Sequence, residues 1–262
     1  MSRLTREQTE AEAFDSSTME AYGNFQDSEL IVPGENINQH LNLTAPPKRA
    51  YAYAIFLLKD TDIAGQKVLN IACGTGYESI ILARKGADVF SFDISPMSIR
   101  LAQKRADLHN LQDKVHAEVM SVYEMQYPDE SFHFVYGNAC LHHFDLEAAM
   151  REVHRVLKPN GLAVFKEPFG ASKTLQKIRD FVPVKKNIVS PGERQLTYDD
   201  IIAIQNIFND VTLKEFGLFS RLKRLTTNRR IHRMTQNVDE LVLEKFPQFK
   251  KFASDVVIRI TK

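Results

Sequence analysis

The sequence predicts an α/β protein with a doubly wound, mostly parallel seven-stranded sheet and helices on both faces. An apolar run that begins at Val68 ends in two glycines, Gly74 and Gly76, as expected of a buried strand that turns into a helix. From there to Lys166, strand patterns alternate with helix patterns, which is typical of parallel strands joined by right-handed crossovers. A chain of 262 residues with 44% hydrophobic content also suits one substantial core.

The elements of the first half follow directly from local signals. Residues 1–45 are polar with a few aromatic anchors, and they predict one or two short helices. Turn signals at Pro33-Gly34 and Pro46-Pro47 separate them from the rest. The pattern then predicts a helix at 47–58, a strand from Val68, a helix at 77–84, a strand at 88–92, and a helix that starts at Pro96 with Ser95 as N-cap.

The second half completes the strand count. It predicts a third strand at 114–120, a fourth at 132–137, a loop at 138–144 that we call the cleft loop, a helix, and a fifth strand at 162–166. The pattern loosens after Pro168, which predicts a linker or an insertion after the fifth strand. Thr197 then caps a further helix, and 211–219 and 253–260 predict the last two strands.

The glycine turn is the strongest functional signal in the chain. Glycines at 74 and 76 allow positive φ angles and let a ligand approach the main chain, and the following helix offers unpaired N–H groups. A dinucleotide fingerprint needs a third glycine where this chain has Ser79, although Asp93 stands at the position suited to ribose hydroxyls. The turn therefore predicts a ligand with a ribose and without a pyrophosphate.

Four blocks in register resemble one enzyme family. They are N-I-A-C-G-T-G at 70–76, F-D-I-S at 92–95, Y-P-D-E-S-F with N-A-C-L-H-H-F over 127–144, and V-L-K-P-N-G with F-K-E-P over 156–168. Together they resemble the class I S-adenosylmethionine-dependent methyltransferases, type 11, the group that includes ubiquinone and menaquinone C-methyltransferases. The resemblance covers about 100 of the 262 residues and implies a Rossmann-like fold.

This resemblance implies three regions and a set of cofactor contacts. Residues 1–45 would form an N-terminal helical lid, 46–168 the S-adenosylmethionine-binding core, and 169–262 an insertion with the strands that complete the sheet. Asp93 suits the ribose, the turn suits the cofactor carboxylate, and main-chain carbonyls near Ala72 and Asn138 suit its ammonium group. The predicted cofactor-binding residues are Tyr22, Asn70, Ala72, Cys73, Gly74, Gly76, Asp93, Ile94, Met97, Ser121, Val122 and Asn138. For Tyr22 the alternative is a packed aromatic ring, and for Ile94 and Met97 it is a place in the core.

Two of these positions depart from the family pattern. Asn70 stands where the family usually has Asp or Glu, and an amide keeps hydrogen bonds but loses the charge. Ser121 aligns with a position where the family often has an acidic residue, whose side chain accepts a hydrogen bond from the adenine amino group. Cys73 is interpreted as a small apolar residue of the turn and not as a nucleophile.

Methyl transfer is an in-line displacement, so orientation can suffice for a good nucleophile, and a hydroxyl or carbon acceptor adds the need for a base. The candidates are His142 and His143 in the cleft loop and Glu167 at the end of the fifth strand. Such histidines are often structural in the resembled group. Neighbouring histidines do not have metal-ligand spacing, and no metal is predicted.

Composition narrows the partners and the location. A net charge of +1 argues against a nucleic-acid partner, two cysteines suit a reducing compartment, and the absence of a long apolar segment argues against a membrane span. We therefore expect a cytoplasmic enzyme with a small-molecule acceptor.

A local basic segment at 221–233 carries six Lys or Arg residues and no acid. It is either the solvated face of a helix whose apolar side includes Leu218, Leu222 and Leu225, or a patch that receives an anionic acceptor. Two other functions remain open at this point. A cofactor-binding domain without turnover is suggested by Asn70 and Ser121, whereas a nicotinamide oxidoreductase is disfavoured by Ser79.

Overall fold

The computed structural model describes residues 3–23, 26–35, 46–58, 61–170, 194–219 and 228–262. Within them, one seven-stranded sheet has the order β3-β2-β1-β4-β5-β7-β6. The strands are β1 Lys67–Ile71, β2 Asp88–Asp93, β3 Val115–Val119, β4 Phe132–Asn138, β5 Leu157–Pro168, β6 Asp210–Phe216 and β7 Asp255–Thr261. β7 runs antiparallel to both of its neighbours, and the other pairs are parallel. The predicted mostly parallel, seven-stranded sheet is confirmed.

Helices cover both faces of this sheet. They are α1 Arg3–Tyr22, α2 Asp27–Leu30, α3 Ala50–Phe56, α4 Tyr77–Arg84, α5 Pro96–Leu108, α6 Leu146–Val156, α7 Tyr198–Gln205 and α8 Arg229–Lys245. Two short 3-10 turns lie at Leu141–His143 and Pro247–Phe252. Among the described residues no helix is both long and apolar enough to cross a membrane.

The side chains of β1 alternate between the two hydrophobic core clusters that cover the faces of the sheet. Leu69 and Ile71 join a core cluster with α6 and α7, whereas Val68 points to the opposite cluster with α3, α4 and α5. Successive strand residues point to opposite faces of the sheet, so a strand with apolar residues on both faces needs helices on both sides. All three side chains are 0% exposed, which agrees with a central strand.

Helix starts agree closely with the predicted caps. Ser95 Oγ accepts from the Ser98 N–H at 3.0 Å, and Pro96 is the first residue of α5. Thr197 forms a capping box with Asp200 at the start of α7. These caps satisfy N–H groups that the first helical turn leaves unpaired.

Two elements are longer than predicted. α1 is a single helix of 20 residues, where one or two short helices were expected. β5 begins at Leu157 and not at Leu162, because Leu157 pairs with Phe132 before a register shift in the ladder. Residues 171–193 of the predicted insertion and residues 221–227 of the basic segment lie outside the described residues, as do the side chains of Arg229, Arg230, His232 and Arg233.

Candidate active site

The glycine turn between β1 and α4 is held by main-chain hydrogen bonds. The Cys73 N–H donates to the Phe92 carbonyl at 2.9 Å, and the Gly76 N–H donates to the Cys73 carbonyl at 2.9 Å. Gly74 has φ of 51° and Gly76 has φ of 78°. A Cβ on Gly74 would meet no protein atom within 4 Å, so the space beside it belongs to a cavity. A Cβ on Gly76 would lie 2.8 Å from the Ala102 Cβ, so this glycine permits close packing of α4 on α5.

Asp93 ends β2 directly beside this turn. Its carboxylate accepts from the Gly74 N–H at 2.8 Å and from the Ser95 N–H at 2.9 Å. The residue is 8% exposed, and burial raises the pKa of its carboxyl although the backbone donors oppose that shift. The carboxylate is therefore fixed against the turn while it still lines the cavity.

The cavity lies at the carboxyl ends of β1 to β4 and has a volume of about 200 Å³. This is the edge where ligands bind in open parallel sheets. Ala72 and Ala139, at the ends of β1 and β4, both line it with left-handed φ angles of 46° and 54°. Six predicted site residues contribute to its wall, namely Ala72, Gly74, Asp93, Ile94, Val122 and His143.

A larger cavity of about 360 Å³ lies at the far side of the sheet, between β6 and α8. Four of its charged residues form ion pairs, since Lys48 pairs with Glu240 at 2.7 Å and Lys250 with Glu215 at 3.1 Å. It shares no lining residue with the cavity at the glycine turn. The smaller cavity is the one that contains predicted site residues.

Helix α1 forms the roof of the smaller cavity and is anchored by polar contacts. Arg6 donates to the His143 carbonyl, and Glu7 accepts from the Ser121 hydroxyl. Asp15 accepts from the Met97 N–H at 2.9 Å and from the Ser95 hydroxyl. Loops that follow β2, β3 and β4 are thus each tied to one helix.

The roof contributes cavity residues that the sequence analysis missed. They are Glu7, Glu10, Phe14 and Thr18, whose spacing of three and four residues places them on one face of a helix. Glu10 is 6% exposed, and burial raises the pKa of its carboxyl, offset in part by Arg6 at 3.2 Å. The spacing of three and four residues among these four positions would identify them from the sequence if residues 3–22 were predicted to form one helix.

The three predicted catalytic residues occupy two different environments. Glu167 is 0% exposed and accepts from the Cys140 N–H at 2.8 Å, the Leu141 N–H at 2.9 Å and His142 Nδ1 at 2.7 Å. His142 is itself 7% exposed. Neither residue lines the cavity, so the pair holds the cleft loop from behind.

His143 is the one of the three that lines the cavity. The ring of Phe14 packs edge-on against it with centroids 5.2 Å apart. Burial lowers the pKa of His143 to about 4, with His142 and Arg6 adding to the shift. The imidazole is therefore neutral near pH 7, and its low pKa makes it a weak base.

Other predicted cofactor residues support the turn from outside the cavity. Asn70, 2% exposed, donates to Ser79 Oγ at 2.9 Å, and Ser79 in turn contacts Ser91 Oγ at 2.9 Å. Asn138 donates to Glu78 at 3.0 Å. A polar chain therefore occupies the place where a dinucleotide-binding turn would carry its third glycine.

The remaining predicted residues also lie outside the cavity wall. Cys73 is 5% exposed, and burial raises the pKa of its thiol well above the usual range, which agrees with a non-nucleophilic cysteine. Met97 donates its N–H to Asp15, and Tyr22 hydrogen-bonds Arg105 at the end of α1. Ser121 contacts Glu7 of the roof. Their contact with a cofactor stays a prediction.

Residues 69–165 match the family model described as a methyltransferase domain. Ubiquinone biosynthesis O-methyltransferase of Xanthomonas oryzae pv. oryzae (strain PXO99A) is 32% identical over 56% of this chain and 63% of its own length. Demethylmenaquinone methyltransferase of Chlorobaculum parvum is 36% identical over 39% of this chain and 41% of its own. The chain spans between 36% and 63% of the length of the curated relatives it matches.

The fold also matches a solved structure. Geranyl diphosphate C-methyltransferase of Streptomyces coelicolor A3(2), solved with S-adenosyl-L-homocysteine, has a TM-score of 0.57 and covers 80% of this chain and 79% of its own, at 18% identity. Residues 69–165 are thus similar to a methyltransferase domain, and the sheet has the same Rossmann-like fold as this solved methyltransferase.

Proposed function

We propose that this protein is an S-adenosylmethionine-dependent methyltransferase that acts on a small-molecule acceptor. The observation that carries the proposal is the pair formed by Gly74 and Asp93. They lie 19 residues apart, share a hydrogen bond of 2.8 Å, and line the same cavity. Gly74 lies in the turn after β1, and Asp93 ends the neighbouring strand β2. This arrangement fits a ligand that has a carboxylate and a ribose. The ligand's carboxylate would lie near the helix N-terminus, and its ribose would lie beside the Asp93 carboxylate.

The residues present fit each part of that cofactor. The glycine turn and the N-terminus of α4 would hold its carboxylate, main-chain carbonyls at the ends of β1 and β4 its ammonium group, and Asp93 its ribose hydroxyls. Ile94, Met120 and Val122 would form an apolar wall for adenine. A side chain on Gly74 would occupy the same space, which explains a glycine there.

The bound cofactor supplies an electrophilic methyl group, and the chain supplies orientation and exclusion of water. The roof helix covers the cavity, and Tyr123, His143 and Phe144 surround the part that lies beyond the predicted cofactor contacts. Glu10, Tyr123 and His143 are the titratable groups on that side. Since His142 and Glu167 bond to each other behind the cleft loop, we assign them to positioning.

In this proposal the acceptor is a small molecule. Its charge is inferred from the cavity wall and from the sequence of the basic segment. Glu10 lines the cavity on the acceptor side, so the reacting end of the acceptor is expected to be neutral or cationic. The sequence of the basic segment 221–233, with six Lys or Arg residues and no acid, supports an anionic group on the remote end of the acceptor.

A second candidate is a cofactor-binding domain without methyl transfer. Asn70 and Ser121 favour it, because both replace carboxylates that the resembled family usually carries. Asn70 nevertheless keeps a buried hydrogen bond to Ser79, so the turn does not depend on the missing charge. Turnover separates the two candidates, and cofactor binding does not.

Calorimetric titration with S-adenosylmethionine, S-adenosylhomocysteine and NAD tests the proposal. We expect the first two to bind at one site and NAD to give no heat of binding. A protein that binds NAD and neither of the other two would contradict it. A structure with S-adenosylhomocysteine then shows the acceptor space beside the sulfur, and methyl release with acceptors chosen to fit that space decides between enzyme and binding domain.

A further inference from the structure

The order of the strands fixes the direction in which the cofactor would lie. β1, β2 and β3 are successive neighbours in the sheet. The glycine turn follows β1 and Asp93 ends β2, so a ligand held at both points directs its base toward the end of β3. This step rests on the proposed function, because it takes S-adenosylmethionine as the ligand.

The cavity wall at the end of β3 suits a flat base with one polar edge. Met120 and Val122 are 8% and 5% exposed and line the cavity there, and Ile94 adds a further apolar surface. The polar groups beside them are the Ser121 hydroxyl, which lies at the loop start, and the Glu7 carboxylate of the roof. Ser121 donates its hydroxyl proton to Glu7, and its oxygen accepts from the Tyr123 N–H at 3.2 Å.

Glu7 retains hydrogen-bonding capacity that Ser121 does not use. A carboxylate offers about four acceptor positions on its two oxygens and no donor. Glu7 is half-buried and lines the cavity, so a bound ligand can reach it. The exocyclic amino group of adenine is a donor, whereas the carbonyl of hypoxanthine at the same ring position is an acceptor.

We propose that Glu7 accepts a hydrogen bond from the adenine amino group, so that the roof helix, and not the sheet, selects the base of the cofactor. Ser121 orients this carboxylate and does not itself read the base. The N-terminal helix would then contribute to nucleoside specificity as well as covering the site.

Binding of S-adenosylhomocysteine and of S-inosylhomocysteine, which carries hypoxanthine, tests this assignment by calorimetry. The wild-type protein is expected to bind the adenine compound at least about tenfold more tightly. In Glu7→Gln the ratio should fall to within about twofold, because an amide can serve either partner. Glu12→Gln makes the same charge change on an exposed position of α1 and should keep the wild-type ratio.

A second variant keeps the test decisive if Glu7→Gln lowers stability. Ser121→Ala removes the donor that orients Glu7 and should reduce the ratio part of the way. An unchanged ratio in both folded variants, or a wild-type protein that does not discriminate, overturns the Glu7 assignment and leaves the proposed function intact. A wild-type protein that binds neither compound overturns both.

Discussion

Asp93, at the end of β2, both stabilises the glycine turn and faces the cavity. Its carboxylate accepts the Gly74 and Ser95 N–H groups, so it organises the turn as well as facing the cavity. Sequence reasoning alone expects a ribose contact whose loss leaves the fold nearly unchanged. The structure adds a structural cost, because removal of the carboxylate leaves two backbone donors without their partner.

Asp93→Ala is therefore expected to lose both affinity and stability. The dissociation constant for S-adenosylhomocysteine should rise about ten- to a hundredfold, since a hydrogen bond to a charged group contributes about 1.5–3 kcal/mol. Asp88→Ala, at the opposite end of β2, should leave affinity unchanged. Calorimetry on folded protein measures both, and equal affinity in Asp93→Ala and wild type would remove the ribose assignment.

His143 makes stability depend on pH in a defined direction. Burial lowers its pKa from the ordinary 6.5 to about 4, so the folded protein keeps it neutral where the unfolded chain binds a proton. Between these two values the unfolded state binds more protons, and the free energy of unfolding falls as the pH falls.

We expect His143→Gln to reduce that loss. Urea unfolding at about pH 7 and about pH 5 should show a smaller drop in the variant than in the wild type. The pH change itself acts on every other titratable group equally in both proteins. A drop of the same size in the two proteins would contradict the low pKa.

Glu167 can be tested as a positioning residue against its alternative role as a base. Glu167→Ala should lower the free energy of unfolding by about 3–5 kcal/mol, because it breaks a buried pair and leaves two N–H groups unbonded. Glu167→Gln keeps an acceptor for the Cys140 and Leu141 N–H groups and should be milder. Urea unfolding measures both. A Glu167→Gln protein that is stable and yet fails to turn over an established acceptor would restore the role of base.

Among the elements, the predictable ones are those that local chemistry determines. α4, α5 and α7 begin where glycine, serine and threonine signals place them, and β1 to β4 follow from apolar runs. Those signals depend on neighbouring residues alone, so they can be seen without tertiary contacts. The same holds for Gly74 and Asp93, whose spacing follows from one strand, one turn and one crossover.

α1 and its cavity residues could not be predicted in the same way. Arg6, Glu7 and Asp15 attach it to the loops by polar contacts, and its sequence has no continuous apolar stripe that predicts a docked helix. The sequence also does not show that His143 lines the cavity while His142 and Glu167 do not, because the rings of His142 and His143 lie only 4.2 Å apart in one 3-10 turn. Long-range packing decides both features.

Removal of α1 tests the roof as an element. A chain of residues 24–262 is expected to fold, because the sheet and the three core clusters lie within it. Its affinity for S-adenosylhomocysteine should fall, since α1 supplies Glu7 and covers the cavity. Thermal unfolding followed by circular dichroism checks the fold, and calorimetry checks the affinity. Wild-type affinity in this folded chain would exclude α1 from the binding site.

At the scale of the whole molecule, the cofactor-binding half depends on the C-terminal strands. β7 pairs with β5 from Leu162 opposite Thr261 to Pro168 opposite Asp255. Val164, Phe165 and Ile258 at this junction are all 0% exposed. The proposed boundary at residue 168 therefore separates two regions by sequence, while the sheet joins them.

A chain that ends at residue 168 is accordingly expected to fail as an independent domain, although it contains the glycine turn, Asp93 and the whole cleft loop. β5 would become an edge strand with unpaired N–H and C=O groups beside newly uncovered apolar side chains. We expect it to aggregate or to bind a hydrophobic dye, in contrast to the chain of residues 24–262, which keeps every strand. Size-exclusion chromatography with dye binding compares the two. A monomeric 1–168 chain that unfolds cooperatively would show that the first five strands suffice, and that the last two serve the acceptor side of the molecule and not the integrity of the sheet.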